Sequence, residues 1–142
     1  DKRKFIEVMR TPSNAVIGVT EDGDVFGAYV SVAVKKTETW HRDAGQFAFS
    51  FFSHGRCEVP QRWGMREDRM DAGRDVRVYD ETRDMFIWVG AGGVGNICFG
   101  KRSNASGIYN TGEWFSGLGD TVLTGSRARY FTTTRLIVAR LE

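Results

Sequence analysis

The chain has 142 residues with 20 basic and 18 acidic side chains, giving a net charge of +2. That length makes one domain able to bury about two-thirds of its unfolded surface, so a single core can hold it without staples. The near-balance of charge argues against sequence-independent nucleic-acid binding, whose affinity comes mostly from phosphate neutralisation.

The first element predicted is a short helix over Lys4–Arg10. From Asn14 to Val34 the sequence reads as two strands rich in β-branched and aromatic residues, joined by a polar turn around Asp22-Gly23. An Asp-Gly pair favours the left-handed turns that match hairpin twist. Gly27 interrupts the second strand, where a side chain would block a close neighbour or a bulge would form. Phe47, Phe49 and Phe51 alternate with Ala48, Ser50 and Phe52, which predicts a strand with one strongly aromatic face. The run 66–75 mixes both charge signs without apolar periodicity and reads as a solvated loop.

Val76–Tyr79 alternates as a half-exposed strand should, and Met85–Val89 is continuously apolar. Asn96–Gly100 is strand-like, Lys101–Gly107 has loop composition, and Glu113–Leu118 is the second short helical candidate. Thr121–Thr124 and Leu136–Val138 complete the predicted strands. Many short strands with glycine-rich turns and few helices make a mainly β fold, a two-sheet antiparallel β-sandwich with a few short flanking helices.

Four groups of residues invite a chemical reading. Gly90-Ala91-Gly92-Gly93-Val94-Gly95 is a literal G-x-G-x-x-G, but dinucleotide binding needs a helix after it, and a strand-like segment follows. It reads as a hairpin turn. His54 and Cys57, with His41 and Cys98 elsewhere, raise the possibility of a thiolate nucleophile or a zinc site; the spacing is loose, and zinc would need all four to converge. Two cysteines are too few for a disulfide framework, so both read as reduced thiols in a cytoplasmic or nuclear protein.

Arg127, Arg129, Arg135 and Arg140 form a potential small basic stripe. Finally, Arg56, Glu58, Pro60, Gln61, Arg62 and Trp63 combine residue types enriched at protein interfaces. Arg56, Glu58, Arg62 and Trp63 are the candidate interaction surface, set against a simpler reading in which Trp63 is core and the arginines are solvated. No constellation requires catalysis, and no catalytic, cofactor or metal residue is assigned. No apolar run approaches the length of a membrane span. The absence of a starting methionine suggests that 1–142 is a single domain taken from a longer protein.

Several of these segments, in this order, resemble the TLDc domain. Val25-Phe26-Gly27-Ala28 after an Asp-Gly turn resembles its opening, and Gln46-Phe47-Ala48-Phe49-Ser50-Phe51 its aromatic F-x-F strand. Gly90 to Gly100 is similar to its glycine-rich turn and following strand, and Arg135 to Leu141 sits where its terminal strand falls. The likeness spans about Ala15 to Leu141. It departs in lacking the Glu-x-Trp of the terminal strand and in a less regular glycine-rich stretch, as in a divergent member. The resemblance implies a sandwich of two antiparallel sheets and a non-catalytic protein-interaction module in oxidative-stress protection. The implied partner is the soluble sector of the vacuolar proton-pumping ATPase. The alternatives are a nucleic-acid- or ligand-binding sandwich and a thiol-based, peroxide-consuming enzyme.

Overall fold

A computed structural model describes residues 1–53, 59–91, 93–101, 106–125 and 129–141. Among these residues ten strands form two five-stranded antiparallel sheets. The first sheet contains β1 (Asn14–Thr20), β2 (Val25–Val30), β3 (Phe47–Phe52), β4 (Gln61–Gly64) and β10 (Thr133–Arg140), in the order β10-β1-β2-β3-β4. The second contains β5 (Val76–Val78), β6 (Met85–Ala91), β7 (Gly95–Gly100), β8 (Ser106–Tyr109) and β9 (Tyr130–Phe131), in sequential order. The expected two-sheet β-sandwich is what the chain forms.

Its core lies between the sheets. Val16, Phe26, Ala28, Val30 and Ala48 from the first sheet meet Val76, Val78, Ile87, Val89, Ile97 and Phe99 from the second. Phe26, Phe99 and Phe131 form an aromatic triad, with ring centroids 5.2–6.0 Å apart in edge-on and tilted arrangements. Offset and edge-to-face geometry sets positive ring edges against negative faces, adding about 0.5–1.5 kcal/mol per pair beyond area burial.

Gly27 occupies the close-approach position the sequence suggests: an added Cβ would lie 1.8 Å from the Val16 carbonyl oxygen. A register irregularity falls just before it, between Val25 and Phe26. The turn before β2 spans four residues rather than two. The Gly23 N–H donates to the Thr20 carbonyl at 3.0 Å, and Gly23 takes the left-handed conformation at φ 86°.

The two helices are shifted from expectation. Helix α1 runs Lys2–Met9, capped by Asp1, whose carboxylate accepts from the Arg3 N–H at 2.9 Å. Lys2 lies on its buried face because the ammonium donates to the Arg83 and Met85 carbonyls at 2.6 and 2.5 Å. A buried lysine hides the start of the apolar stripe from a sequence reading. Helix α2 is a single turn, Thr111–Trp114, ending where Phe115 becomes extended.

Thr121–Thr124 is turn rather than strand, with the Gly125 N–H donating to the Thr121 carbonyl at 2.8 Å. β4, β8 and β9 are the strands that composition conceals. β8 carries Gly107 at its centre, where a Cβ would come within 3.0 Å of the Arg129 carbonyl oxygen. The charged run is structured too: Glu67–Arg69 forms a 3-10 turn, and the Arg66 guanidinium forks onto Asp68 at 2.9–3.0 Å.

Candidate functional site, an aromatic groove on the first sheet

In a sandwich, one face of each sheet packs inward and the other normally alternates to polar residues. The first sheet breaks that pattern. On its inner face β3 places Ala48 and Ser50, while Phe47 and Phe49 point to the opposite face with Tyr29 of β2 and Ala15 and Ile17 of β1. Ala139 and Ile137 of β10 join them there, paired with Ala15 and Ile17. The sequence identifies the aromatic face of β3; the structure puts it outside the sandwich.

The outer face forms a groove of about 520 Å³ that crosses all five strands, lined by Ala15, Ile17, Tyr29, Phe47, Phe49, Phe51, Pro60, Gln61, Arg62, Ala139 and Leu141. Tyr29 stacks on Phe47 at 4.8 Å, Phe47 meets Phe49 edge-on at 6.4 Å, and Phe49 lies 5.1 Å from Phe51. This chain of ring contacts holds the aromatic wall in place. Phe49 is 7% exposed, but Phe51 and Leu141 are each 46% exposed. The Arg62 guanidinium sits 5.3 Å from the Phe47 ring centroid, where the negative ring face attracts it.

Of the sequence-derived interaction residues, Arg56 and Glu58 lie outside the described residues. Arg62 and Trp63 are adjacent on β4 and so face opposite ways. Trp63 packs partly against the core, opposite Ala48, while Arg62 joins the outer groove opposite Phe49. Arg62 is therefore grouped with Tyr29, Phe47, Phe49, Phe51 and Leu141, residues the sequence did not connect to it. The available signal was the alternation of β3, which puts Phe47, Phe49 and Phe51 on one face, while packing alone turns that face outward.

The other candidates are separated by the fold. Arg135 and Arg140 are five apart on β10 and point to opposite faces, while Arg129 sits in the second sheet's region, 5.0 Å from the Tyr109 ring. Arg127 lies outside the described residues, and the three described arginines do not form one stripe. Arg135 instead lines a cleft of about 450 Å³ beneath α1, with Lys4, Lys101 and Asp1 on its walls. Of the glycine-rich motif, Gly92 lies outside the described residues; Ala91 pairs with Gly95 where the β6–β7 hairpin closes, and strand β7 begins at Gly95. Gly90 adopts φ 96°, and a Cβ there would lie 2.3 Å from the Gly95 carbonyl oxygen.

Cys98 is buried, its thiol donates to the Gly107 carbonyl at 3.5 Å, and burial pushes its pKa up to about 11. It is a thiol rather than a thiolate at neutral pH, which removes the nucleophilic form. His54 and Cys57 lie outside the described residues. His41 places Nδ1 2.9 Å from the Thr39 carbonyl and pairs through its backbone with Val76. Among the described residues no three metal-ligating side chains converge, and no helix is long and apolar enough to cross a membrane.

A buried polar network beside the groove strand escaped the sequence reading altogether. The Asp43 carboxylate accepts from the Ser31 hydroxyl and, at 2.9 Å, from the Ser31 N–H; the Asp43 N–H donates to Asp75 at 2.7 Å. Gln46 bridges onward, donating to the Asp75 carbonyl at 3.1 Å and accepting from the Trp114 indole at 2.7 Å. Burial pushes the carboxyl pKa of both Asp43 and Asp75 upward. The network ties the loop before β3 to the second sheet, which positions the aromatic strand.

No protein-family model matches this sequence, and no curated protein matches it.

Proposed function

We propose that the chain is a non-catalytic protein-interaction module that engages its partner through the outer face of the first sheet. The observation carrying this reading is the groove itself: aromatic and aliphatic side chains from five strands converge there. Clusters of this kind, with aromatic anchors and an arginine at the rim, are the groups on which binding energy concentrates. The resemblance to TLDc domains supplies the partner in this proposal, the soluble sector of the vacuolar proton-pumping ATPase, with a role in oxidative-stress protection in the cytoplasm or nucleus.

Affinity capture from the native organism's lysate tests it, with wild-type domain and a Phe51→Ser variant as parallel baits. Recovery of the pump's soluble subunits by the wild type alone supports both the partner and the face. Recovery of a different defined partner, with no pump subunit, rejects the inherited role.

The cleft beneath α1 favours a second reading, an anionic ligand such as a nucleic acid, because Lys4, Lys101 and Arg135 all line it. Counterion release would make such binding fall steeply with salt. Oligonucleotide affinity that is insensitive to salt, or unchanged in Lys4→Ala/Arg135→Ala, would exclude this reading.

A further inference from the structure

β1, β2 and β3 are apolar along nearly their whole length, the pattern of strands covered on both faces rather than one. The second sheet covers only the inner face. Whatever covers the outer face must match a groove that crosses five strands, a span of roughly 19 Å at about 4.8 Å per strand spacing. An α-helix of about 13 residues has that length. Ala15 and Ala139, paired at the β1–β10 side, put the smallest lining side chains on the floor beside Ile17, Tyr29 and Leu141, where the bulk of a helix is accommodated most readily.

Charge selects among occupants. Among the described lining residues Arg62 carries the sole formal charge, and it stands at the β4 end of the groove, beside Phe47. A second copy of this chain, docked face to face, would bring a second Arg62, and the described lining residues include no carboxylate to answer it. A partner carrying a carboxylate at that end completes a charge-assisted pair with a planar guanidinium already held over an aromatic ring.

We propose that the groove binds an amphipathic helix of a partner protein, lying across the strands, with an apolar stripe on the floor and an acidic residue against Arg62. This rests on the interaction-module reading and specifies its ligand. The helix uses apolar anchors at i, i+3, i+4 and i+7, the spacing by which a helix presents one face to a groove. The acidic residue sets its direction across the sheet and excludes otherwise similar basic helices.

The test is a display library of 14-residue helices with a fixed apolar stripe and randomised charges, selected against wild type, Arg62→Glu and Arg62→Gln. Each variant's melting temperature is measured first. The proposal expects wild type to enrich sequences with Glu or Asp at one end, and Arg62→Glu to enrich Lys or Arg there instead. Arg62→Gln should bind apolar stripes with no charge preference. A selected acidic peptide should bind wild type at least tenfold more tightly than Arg62→Glu, and Phe49→Ser should weaken it by a similar factor. Failure of any library member to enrich, or the same charge preference in all three proteins, would overturn the proposal. So would concentration-dependent dimerisation of the wild type that Phe51→Ser abolishes. Binding of the ATPase sector is scored separately: acidic-helix selection without pump binding rejects the partner and keeps the groove, and pump binding indifferent to Arg62 rejects the groove's ligand and keeps the partner.

Discussion

Single residues show how narrowly the sheets are fitted. Gly27 faces a backbone oxygen rather than a movable side chain, so Gly27→Ala must separate β1 from β2. Denaturant unfolding should show a loss of at least about 3 kcal/mol, above the usual range for an inserted methyl because strand pairing is lost with it. Gly18→Ala is a milder case. Its Cβ would meet the Phe99 ring at 2.3 Å, and that ring is fully buried between Phe26 and Phe131, so a cost of about 1–3 kcal/mol is expected.

Asp75 makes a prediction about pH. Its carboxyl pKa is raised in the fold, chiefly by burial, with the Asp43 N–H and nearby Arg42 opposing the rise. A folded-state pKa above the unfolded value of about 3.9 means that the native state holds the proton longer. Stability is then lost as pH rises from the unfolded value through the raised one. Asp75→Asn keeps an acceptor for the Asp43 N–H and removes the charge. Melting temperature across pH 4 to 7 should fall less steeply in the variant, and at pH 7 the variant should match or exceed the wild type; a parallel decline in both proteins would contradict this.

At the scale of elements, legibility followed periodicity. β1, β2, β3, β6, β7 and β10 announce themselves because β-branched and aromatic residues fill them. β8 does not, since Ser106 and Gly107 occupy it for reasons only the tertiary structure supplies: the buried Ser106 hydroxyl accepts from the Gly100 N–H at 3.0 Å and lies 2.8 Å from the Thr133 hydroxyl. Thr121–Thr124 has strand composition but turns back on itself to bury Leu123. In α1, Lys2 occupies an inward position because two carbonyls of the β5–β6 connection and β6 accept from it. Lys2→Ala should leave those carbonyls underpaired and cost about 1–3 kcal/mol in chemical denaturation, more than the same change at exposed Lys4.

β3 carries the functional lesson at this scale. Alternation revealed that Phe47, Phe49 and Phe51 share a face, but alternation has no sign, and only packing decides which face turns inward. Arg62 was legible as an interface residue type, whereas its place over Phe47 depends on the β3–β4 register. Trp63, singled out with it, turns to the other side of the same strand.

At the scale of the whole molecule, the sandwich separates two tasks. The space between the sheets is filled by aliphatic residues and the Phe26–Phe99–Phe131 triad, which stabilise the fold. The outer face of the first sheet carries a second ring cluster, Tyr29, Phe47, Phe49 and Phe51, of which Phe51, with Leu141 nearby, remains half in water and contributes less to folding. Phe51→Ser should therefore lower stability by about 1 kcal/mol or less while removing much of an anchor for a partner. It is this face that we propose binds protein. Carbene footprinting of the domain, alone and with the purified soluble ATPase sector, tests it most directly. Labelling should fall at Phe51, Ile137 and Leu141 and stay unchanged on the exposed rim of the α1 cleft. Unchanged labelling at those three positions in a complex that demonstrably forms, with protection elsewhere, would contradict it.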